Sequence, residues 1–143
     1  MKIKILNEAP ERTLAAVFAP GDEVAAGLLQ IATEQNLTAA RLTGIGALSR
    51  VVLGYFDLEK REYREIEIDE QVEVLSLLGN FALHGAEKKV HAHIVVGKAD
   101  GSAHGGHVLK GWVRPTLELL IVESPGFLAR KIDEATGLPL LSI

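Results

Sequence analysis

Four of the five histidines in this chain of 143 residues lie in one short stretch, "VHAHIVVGKADGSAHGGH". Side chains alternate along a β-strand, so a strand over residues 90–97 would place His91 and His93 on the same face, roughly 6–7 Å apart. Neutral imidazole is a good ligand for zinc and also suits iron, copper and nickel. The spacing of this pair therefore suits two ligands of one metal ion.

A hairpin after this strand could bring a third histidine to the same place. The segment "KADGS" is a strong turn signal, so the chain is expected to return antiparallel. If Gly97 pairs with Ala103, His107 lies directly opposite His93 with its side chain on the same face. The two glycines before His107 suit a bulge or a close backbone approach. In the unbulged register His104 points to the other face, which leaves it outside the predicted ligand set.

The residues alone leave two interpretations of this cluster open. In the first, His91, His93 and His107 bind a metal ion, with zinc expected, and leave a fourth position for water or a guest carboxylate. In the second, the histidines are neutral groups satisfied by hydrogen bonds, or ordinary surface residues. A zinc centre can lower the pKa of bound water to about 7, so catalysis is chemically accessible. Whether the chain is an enzyme stays open at this point.

Length and composition restrict the class of protein. A chain of 143 residues has the usual size of one domain, and we predict a single domain over residues 1–143. Although 48% of the residues are hydrophobic, every apolar run is short, so no segment could span a bilayer. The absence of cysteine excludes disulfides and thiolate ligands. A net charge of −4 argues against attraction of the whole surface to polyanions such as DNA.

The hydrophobic patterns predict an α+β domain with a mainly antiparallel sheet. Apolar residues at helical spacing predict one principal helix near residues 22–35, with Asp22 as its N-cap and Asn36 as its end. Its predicted apolar face comprises Val24, Leu28, Ile31 and Ala32. The remaining apolar runs have strand character and are divided by turn signals, including one at residues 44–46. Residues 104–113 and 116–123 are predicted as two separate runs. Most connections are too short for crossover helices, which favours hairpins. Residues 125–143 are predicted to hold a short helix and an extended end.

The beginning of the chain bears on its location. The segment "MKIKILNEAPER" alternates like a first strand, and it lacks the longer apolar region and small-residue cleavage site of a secretory signal. We therefore predict a cytoplasmic protein.

Four segments in their order along the chain resemble the plant-and-prokaryote-conserved (PPC) domain, from about Thr13 to Glu123. They are "RLTGIGALSRVVLGYFD", "VEVLSLLGNFALH", "VHAHIVVGKADGSAHGGHVLKGWV" and "PTLELLIVE". The motifs of the family match Gly44 to Ala47, Gly79 with Asn80, and the histidines His91, His93 and His107. The resemblance implies an α+β domain that assembles as a homotrimer, with these three histidines available to a metal such as zinc.

The resemblance also implies a second function. Prokaryotic PPC proteins are commonly described as DNA-binding through their kinship with plant nuclear proteins, in which a separate AT-hook grips DNA. This chain has no Arg-Gly-Arg-Pro core of that hook, and it has "LSLLGNFAL" where the plant domain has a "GRFEIL"-like segment. Two hypotheses follow. One is a trimeric metal-binding protein that takes a small or anionic ligand, and the other is a DNA-associated regulatory protein acting through its trimer and partner proteins.

Overall fold

The fold consists of one helix and nine strands in the described part of the chain. The computed structural model describes residues 1–7, 11–124 and 126–142. The elements, in chain order, are β1 (Lys2–Asn7), β2 (Thr13–Phe18), α1 (Val24–Glu34), β3 (Ala40–Asp57), β4 (Glu62–Ile68), β5 (Val72–His84), β6 (Glu87–Gly97), β7 (Ala103–Glu123), β8 (Ala129–Ile132) and β9 (Pro139–Ser142). The predicted α+β class is confirmed.

All these strands belong to one sheet, which is antiparallel except for a single parallel pairing of β5 with β8. Strands β3, β5, β6 and β7 form a closed ring, because each pairs with the next and β7 pairs again with β3. Strands β1 and β2 extend the sheet from β7, and β4 pairs with β3. The β8–β9 hairpin joins the sheet at β5. The ring gives the sheet an inner and an outer face.

Strands β3 and β7 run through positions where the sequence predicts breaks. The predicted division at residues 44–46 is wrong, because β3 continues there and only its register against β5 shifts, between Gly44 and Gly46. A side chain at position 46 would place its Cβ 2.3 Å from the carbonyl oxygen of Thr116 on β7. Glycine is required at this bulge because the two backbones approach so closely. Strand β7 likewise continues through Pro115.

The predicted helix is confirmed, but its N-cap is Glu23 and not Asp22. The Glu23 carboxylate accepts hydrogen bonds from the amides of Ala25 and Ala26, which are free donors in the first turn. It also accepts a bond from the amide of Gly111 on β7, a tertiary contact that favours Glu23. Asp22 instead accepts from the amide of Ala19 in the preceding turn.

The helix ends as predicted and supplies one wall of the core. Asn36 follows the C-cap with a positive φ of 52°, a conformation that stops an α-helix. The buried face of α1 is the predicted set of Val24, Leu28, Ile31 and Ala32. These side chains pack with the inner faces of the strands in one hydrophobic cluster. No helix in the described residues is long and apolar enough to cross a bilayer, since α1 has 11 residues.

The short helix predicted in residues 125–143 is wrong, because β8 and β9 form a hairpin there. In the turn, the Asp133 carboxylate accepts hydrogen bonds from the amide and the hydroxyl of Thr136. Such local side-chain bonds offer the backbone an alternative to a helix. Gly137 then adopts a positive φ of 74° that reverses the chain.

The outer face of the sheet carries several exposed apolar side chains that lie close together. Their positions span β2, β3, β5, β6 and β7. We call this set the outer apolar face, and it comprises Val17, Ile45, Leu75, Leu78, Val95 and Leu120. Register places Leu120 opposite Thr43, Thr43 opposite Leu78, and Leu78 opposite His93. The outer apolar face therefore borders the histidine stretch.

Candidate metal centre

Strands β6 and β7 bring the three predicted histidines together. Alternation places His91 and His93 on the outer side of β6. The antiparallel pairing with β7 then places His93 opposite His107 and Gly97 opposite Ala103. This is the register predicted from the turn signal, and it is confirmed.

The glycines before His107 permit a close backbone approach, and the β6–β7 pairing remains regular beside them. A Cβ on Gly106 would lie 3.0 Å from the carbonyl oxygen of Gly54, and a Cβ on Gly105 would lie 3.3 Å from that of Ile94. His104 pairs with Val96, whose side chain is buried on the inner side of the ring. His104 therefore lies outside the cluster, as predicted.

The three imidazoles converge at distances suited to a shared ion. The Nε2 atoms of His91 and His93 are 3.1 Å apart, and one ring nitrogen from each of the three histidines lies within 4.8 Å of the others. Two nitrogens bound at 2.0–2.1 Å to a tetrahedral zinc lie roughly 3.3 Å apart. Ring centroids are separated by 5.0 to 5.5 Å, with interplanar angles from 42° to 86°. The rings thus approach a common point from different directions.

Partial burial favours the neutral form of two of these histidines. Burial lowers the pKa of His107 to about 4, with a smaller contribution from the neighbouring charges of His91 and His93. Burial also lowers the pKa of His91, assisted by His93 and by the cation of Arg130. Both imidazoles are therefore neutral at pH 7, which is the protonation state that binds metals.

The hydrogen bonds of the cluster are incomplete. His91 and His93 form one hydrogen bond with each other, in which one Nε2 donates and the other accepts. The Nδ1 atom of His107 is buried and has no hydrogen-bond partner among the described residues. Buried polar atoms nearly always have a partner, so this nitrogen indicates a site that is completed by another group.

Aromatic side chains on β3 and β4 cover His107 from one side. The Tyr63 ring stacks on the His107 ring with centroids 5.0 Å apart and an interplanar angle of 28°. Phe56 contacts Tyr63 edge to face at 5.1 Å. Gly54 lies opposite His107, and a Cβ there would be 2.7 Å from the Tyr63 ring. The absence of a side chain at position 54 therefore leaves room for the stacked rings of Tyr63 and His107. Burial in this environment raises the pKa of Tyr63.

The histidines open into a cavity of about 390 Å³ under the β8–β9 hairpin. Its other lining residues are Gly54, Phe56, Tyr63, Lys89, Val90, Arg130, Leu138, Pro139 and Leu140. The sequence predictions missed Tyr63 and Arg130. No local sequence pattern marks either residue. Pairing between strands that are distant in sequence brings both of them to the cavity, and the residue spacing within β4 or β8 does not predict that pairing.

Fold and site together define an α+β protein with a closed antiparallel strand ring and a three-histidine cluster on its outer side. The model of the Plants and Prokaryotes Conserved (PCC) domain family matches residues 6–125. The chain belongs to this family, which is the PPC family of the sequence resemblance. The match includes all three histidines, whereas the β8–β9 hairpin lies beyond it.

Solved structures share this fold over nearly the whole chain. A PPC protein from Pyrococcus horikoshii is 29% identical with a TM-score of 0.86, covering 99% of this chain and 95% of that one. A metal-containing protein from Archaeoglobus fulgidus is also 29% identical, with a TM-score of 0.84 and coverage of 99% and 97%. A Ralstonia eutropha protein, provisionally named DNA-binding, is 25% identical with a TM-score of 0.85 and coverage of 91% and 90%.

Two curated relatives are much longer proteins. Both are called bifunctional protein GlmU and come from Synechococcus strains, and each is 31% identical to this chain over 121 residues. The aligned part covers 82% of this chain and 18% of the relative. The chain thus spans less than a fifth of the length of the curated relatives it matches.

Proposed function

We propose that this protein binds one divalent transition-metal ion per chain, with zinc the expected ion, through His91, His93 and His107. The observation that carries the proposal is the convergence of three ring nitrogens within 4.8 Å of one another. Three imidazoles at this spacing match the ligand type and the count of known three-histidine zinc sites. The Archaeoglobus fulgidus relative, which is called metal-containing, supports the same proposal.

The competing interpretation is a purely hydrogen-bonded histidine cluster. It accounts for the 3.1 Å contact between His91 and His93, but it leaves the buried Nδ1 of His107 without a partner among the described residues. A bound metal ion would engage all three rings, because it binds one nitrogen of each ring and fixes the tautomer of the other. The metal interpretation therefore gives the three converging ring nitrogens a common partner, which the hydrogen-bonded cluster does not.

When bound by three protein nitrogens, zinc keeps a fourth position for a small ligand and polarises what occupies it. The residues of this chain would determine which ligand reaches that position. The cavity of about 390 Å³ beside the histidines leaves room for a small molecule or anion.

The decisive experiment is elemental analysis of protein purified without an affinity tag. We expect about one equivalent of metal per chain in the wild type and its loss in His107→Ala. The matched control is His104→Ala, which removes a histidine from the same hairpin but from outside the cluster. Equal and negligible metal in the wild type and in His107→Ala would defeat the proposal, as would equal loss in the two variants.

We further propose that the protein is a homotrimer with residues 1–143 forming one PPC domain in each chain. The outer apolar face supports assembly, since it leaves side chains such as Ile45 and Leu120 at least half exposed in the single chain, at 62% and 50%. Exposed apolar clusters of this kind mark association surfaces. Light scattering should give a mass of about 46 kDa for three chains of 15.4 kDa. The cytoplasmic location stays a prediction from the sequence.

A DNA-associated regulatory role is the second candidate, favoured by the provisional name of the Ralstonia eutropha relative. The net charge of −4 gives it no general electrostatic support. The two functions differ in what they require. A DNA role predicts retention on duplex DNA that falls steeply with salt and is equal in the wild type and His107→Ala, whereas the metal role predicts that only metal content distinguishes these proteins.

A further inference from the structure

Arg130 is a buried cation in the wall of the cavity beside the histidines. Its side chain is 6% exposed. One Nη atom donates a hydrogen bond to the carbonyl oxygen of Pro139 at 2.9 Å, and the other donates to Oδ1 of Asn80. Both acceptors are neutral. The Nε–H group is buried and has no acceptor among the described residues.

No described carboxylate forms an ion pair with this guanidinium. The ion pairs of the described residues involve other cations, including Lys89 on the same cavity wall, which contacts Glu87 at 2.9 Å. A buried charge is costly unless an opposite charge accompanies it. Arginine also remains protonated at any physiological pH. Arg130 thus lines the cavity with a positive charge that no described carboxylate compensates.

The register of the sheet places this cation near the histidines. Asn80, which accepts the hydrogen bond from Arg130, lies directly opposite His91 in the β5–β6 pairing. Directly opposite residues share a face of the sheet. Arg130 and the three histidines thus contribute to the same cavity from adjoining positions.

Resting on the proposed metal site, we propose that the cavity binds a small organic monocarboxylate whose carboxylate group lies between the metal and the Arg130 guanidinium. The planar guanidinium matches a carboxylate in geometry and charge. The metal accepts an oxygen at the position that the histidines leave free. One ligand group would then satisfy both cations.

The cavity walls restrict the rest of the ligand. Away from the histidines and the basic side chains, the lining is largely apolar, with Phe56, Val90, Leu138 and Leu140. Such walls suit an aliphatic or aromatic body. The volume of about 390 Å³ is at the small end of the roughly 300–1,000 Å³ range of ligand pockets. A phosphate dianion fits less well, because Arg130 is the only cation on this wall without a carboxylate partner among the described residues.

The competing explanation is that Arg130 has only a structural role, in which its bond to Pro139 joins β8 to β9 and its bond to Asn80 ties the hairpin to β5. The substitution Asn80→Asp separates the two explanations, because it keeps the shape and the hydrogen-bond acceptor but places a negative charge against the guanidinium. If Arg130 has only a structural role, its hydrogen bond to position 80 survives this substitution. If Arg130 binds an external anion, the new carboxylate at position 80 neutralises the guanidinium and weakens anion binding. Arg130→Gln removes the charge directly.

The test uses the full chain loaded with Co²⁺, with benzoate and butyrate as probes. Cobalt content is measured first, and carboxylate affinity follows from visible absorption of the bound Co²⁺ and from calorimetry. We expect Asn80→Asp and Arg130→Gln to retain cobalt and to bind benzoate at least about tenfold more weakly than the wild type, consistent with loss of a charge-assisted pair. Lys131→Gln removes an exposed charge from the next position of β8 and should leave the affinity within about twofold.

The outcomes separate this inference from the metal proposal. Absence of cobalt uptake by the wild type overturns both. Cobalt uptake with benzoate affinity that is negligible, or equal in the wild type and Asn80→Asp, overturns the carboxylate site alone. Inorganic phosphate that binds more tightly than either carboxylate, with the same dependence on Arg130, overturns the assigned ligand class. If Arg130→Gln fails to fold, Asn80→Asp still decides between the explanations.

Discussion

Gly79 allows strands β5 and β6 to approach closely beside the candidate metal centre. Its replacement by alanine tests whether this close approach requires glycine. A Cβ at this position would lie 2.5 Å from the carbonyl oxygen of His91 and 3.0 Å from Cβ of Ala92. Directly opposite residues in antiparallel strands normally have their Cβ atoms about 4.5–5.5 Å apart. The contact is with backbone, so no side-chain rotation can relieve it.

The size of the effect follows from these distances. A relaxed carbon–oxygen contact is about 3.3 Å or longer, so strand β6 must move by nearly 1 Å at His91. Overpacking of this kind costs about 1–3 kcal/mol. A weakened ladder hydrogen bond adds about 0.5–1.5 kcal/mol. We therefore expect Gly79→Ala to lower the free energy of unfolding by about 2–4 kcal/mol.

The direction of the change in the free energy of unfolding distinguishes this close approach from an ordinary strand position. Without the close approach, alanine in a strand would be more stable than glycine by about 0.5–1 kcal/mol, because it loses less backbone entropy on folding. Gly126→Ala is the control, since Gly126 has no atom within 4 Å of the added Cβ and has no left-handed φ. That variant should be neutral or slightly stabilised.

The assay is urea denaturation of metal-free protein at one fixed protein concentration, because assembly and metal binding both contribute to apparent stability. With an m-value near 2 kcal/mol/M, the midpoint of Gly79→Ala should fall by about 1–2 M. A midpoint equal to or higher than that of the wild type would refute the close-approach argument. Weaker metal binding by the folded variant should accompany the loss, since β6 carries His91 and His93.

Three further predictions concern the surface, the helix and the pH dependence. Leu120→Lys places a charge on the outer apolar face and should lower the mass measured by light scattering toward 15.4 kDa. The control Leu58→Lys changes an exposed leucine in the β3–β4 turn and should leave the mass unchanged. An unchanged mass for both variants would remove the outer apolar face from the proposed interface. Glu23→Ala should lower the free energy of unfolding by about 1–2 kcal/mol, and Asp22→Ala should cost less in chemical denaturation if Glu23 is the N-cap. For metal-free protein, the His107 pKa of about 4 lies below its ordinary value of 6.5, so the unfolded chain binds more protons between these values. Stability should therefore fall as the pH drops from 6.5 toward 4, and His107→Gln should make the fall shallower in denaturation series at several pH values.

Local chemistry was sufficient to predict the central hairpin. A turn signal between two extended runs defines the register, and a strand period of two then decides which histidines share a face. His91, His93 and His107 lie together for this reason, and His104 is excluded by the same parity. The apolar face of α1 follows equally from its helical period.

The features that were mispredicted depend on contacts between distant segments. Asp22 and Glu23 are both plausible caps, and the amide of Gly111 on β7 is a partner of Glu23 that the sequence alone does not reveal. Residues 44–46 read as a turn because glycines mark both turns and bulges, and only the close backbone at Thr116 distinguishes them. Residues 128–135 are rich in helix formers, yet the side-chain bonds of Asp133 favour a turn.

The residues that would select a ligand belong to a different part of the chain from those that would bind the metal. The histidines lie within residues 6–125, the part matched by the family model, on a hairpin whose register is determined locally. Arg130 and the apolar wall formed by Leu138 and Leu140 lie beyond that match, on a hairpin attached to β5 by one parallel pairing and by the Arg130–Asn80 hydrogen bond. A change in this hairpin can alter the charge and shape of the cavity without moving β6 or β7. Relatives that share the histidine cluster could therefore hold the same ion and still select different ligands, because the charge that selects them comes from a separate element.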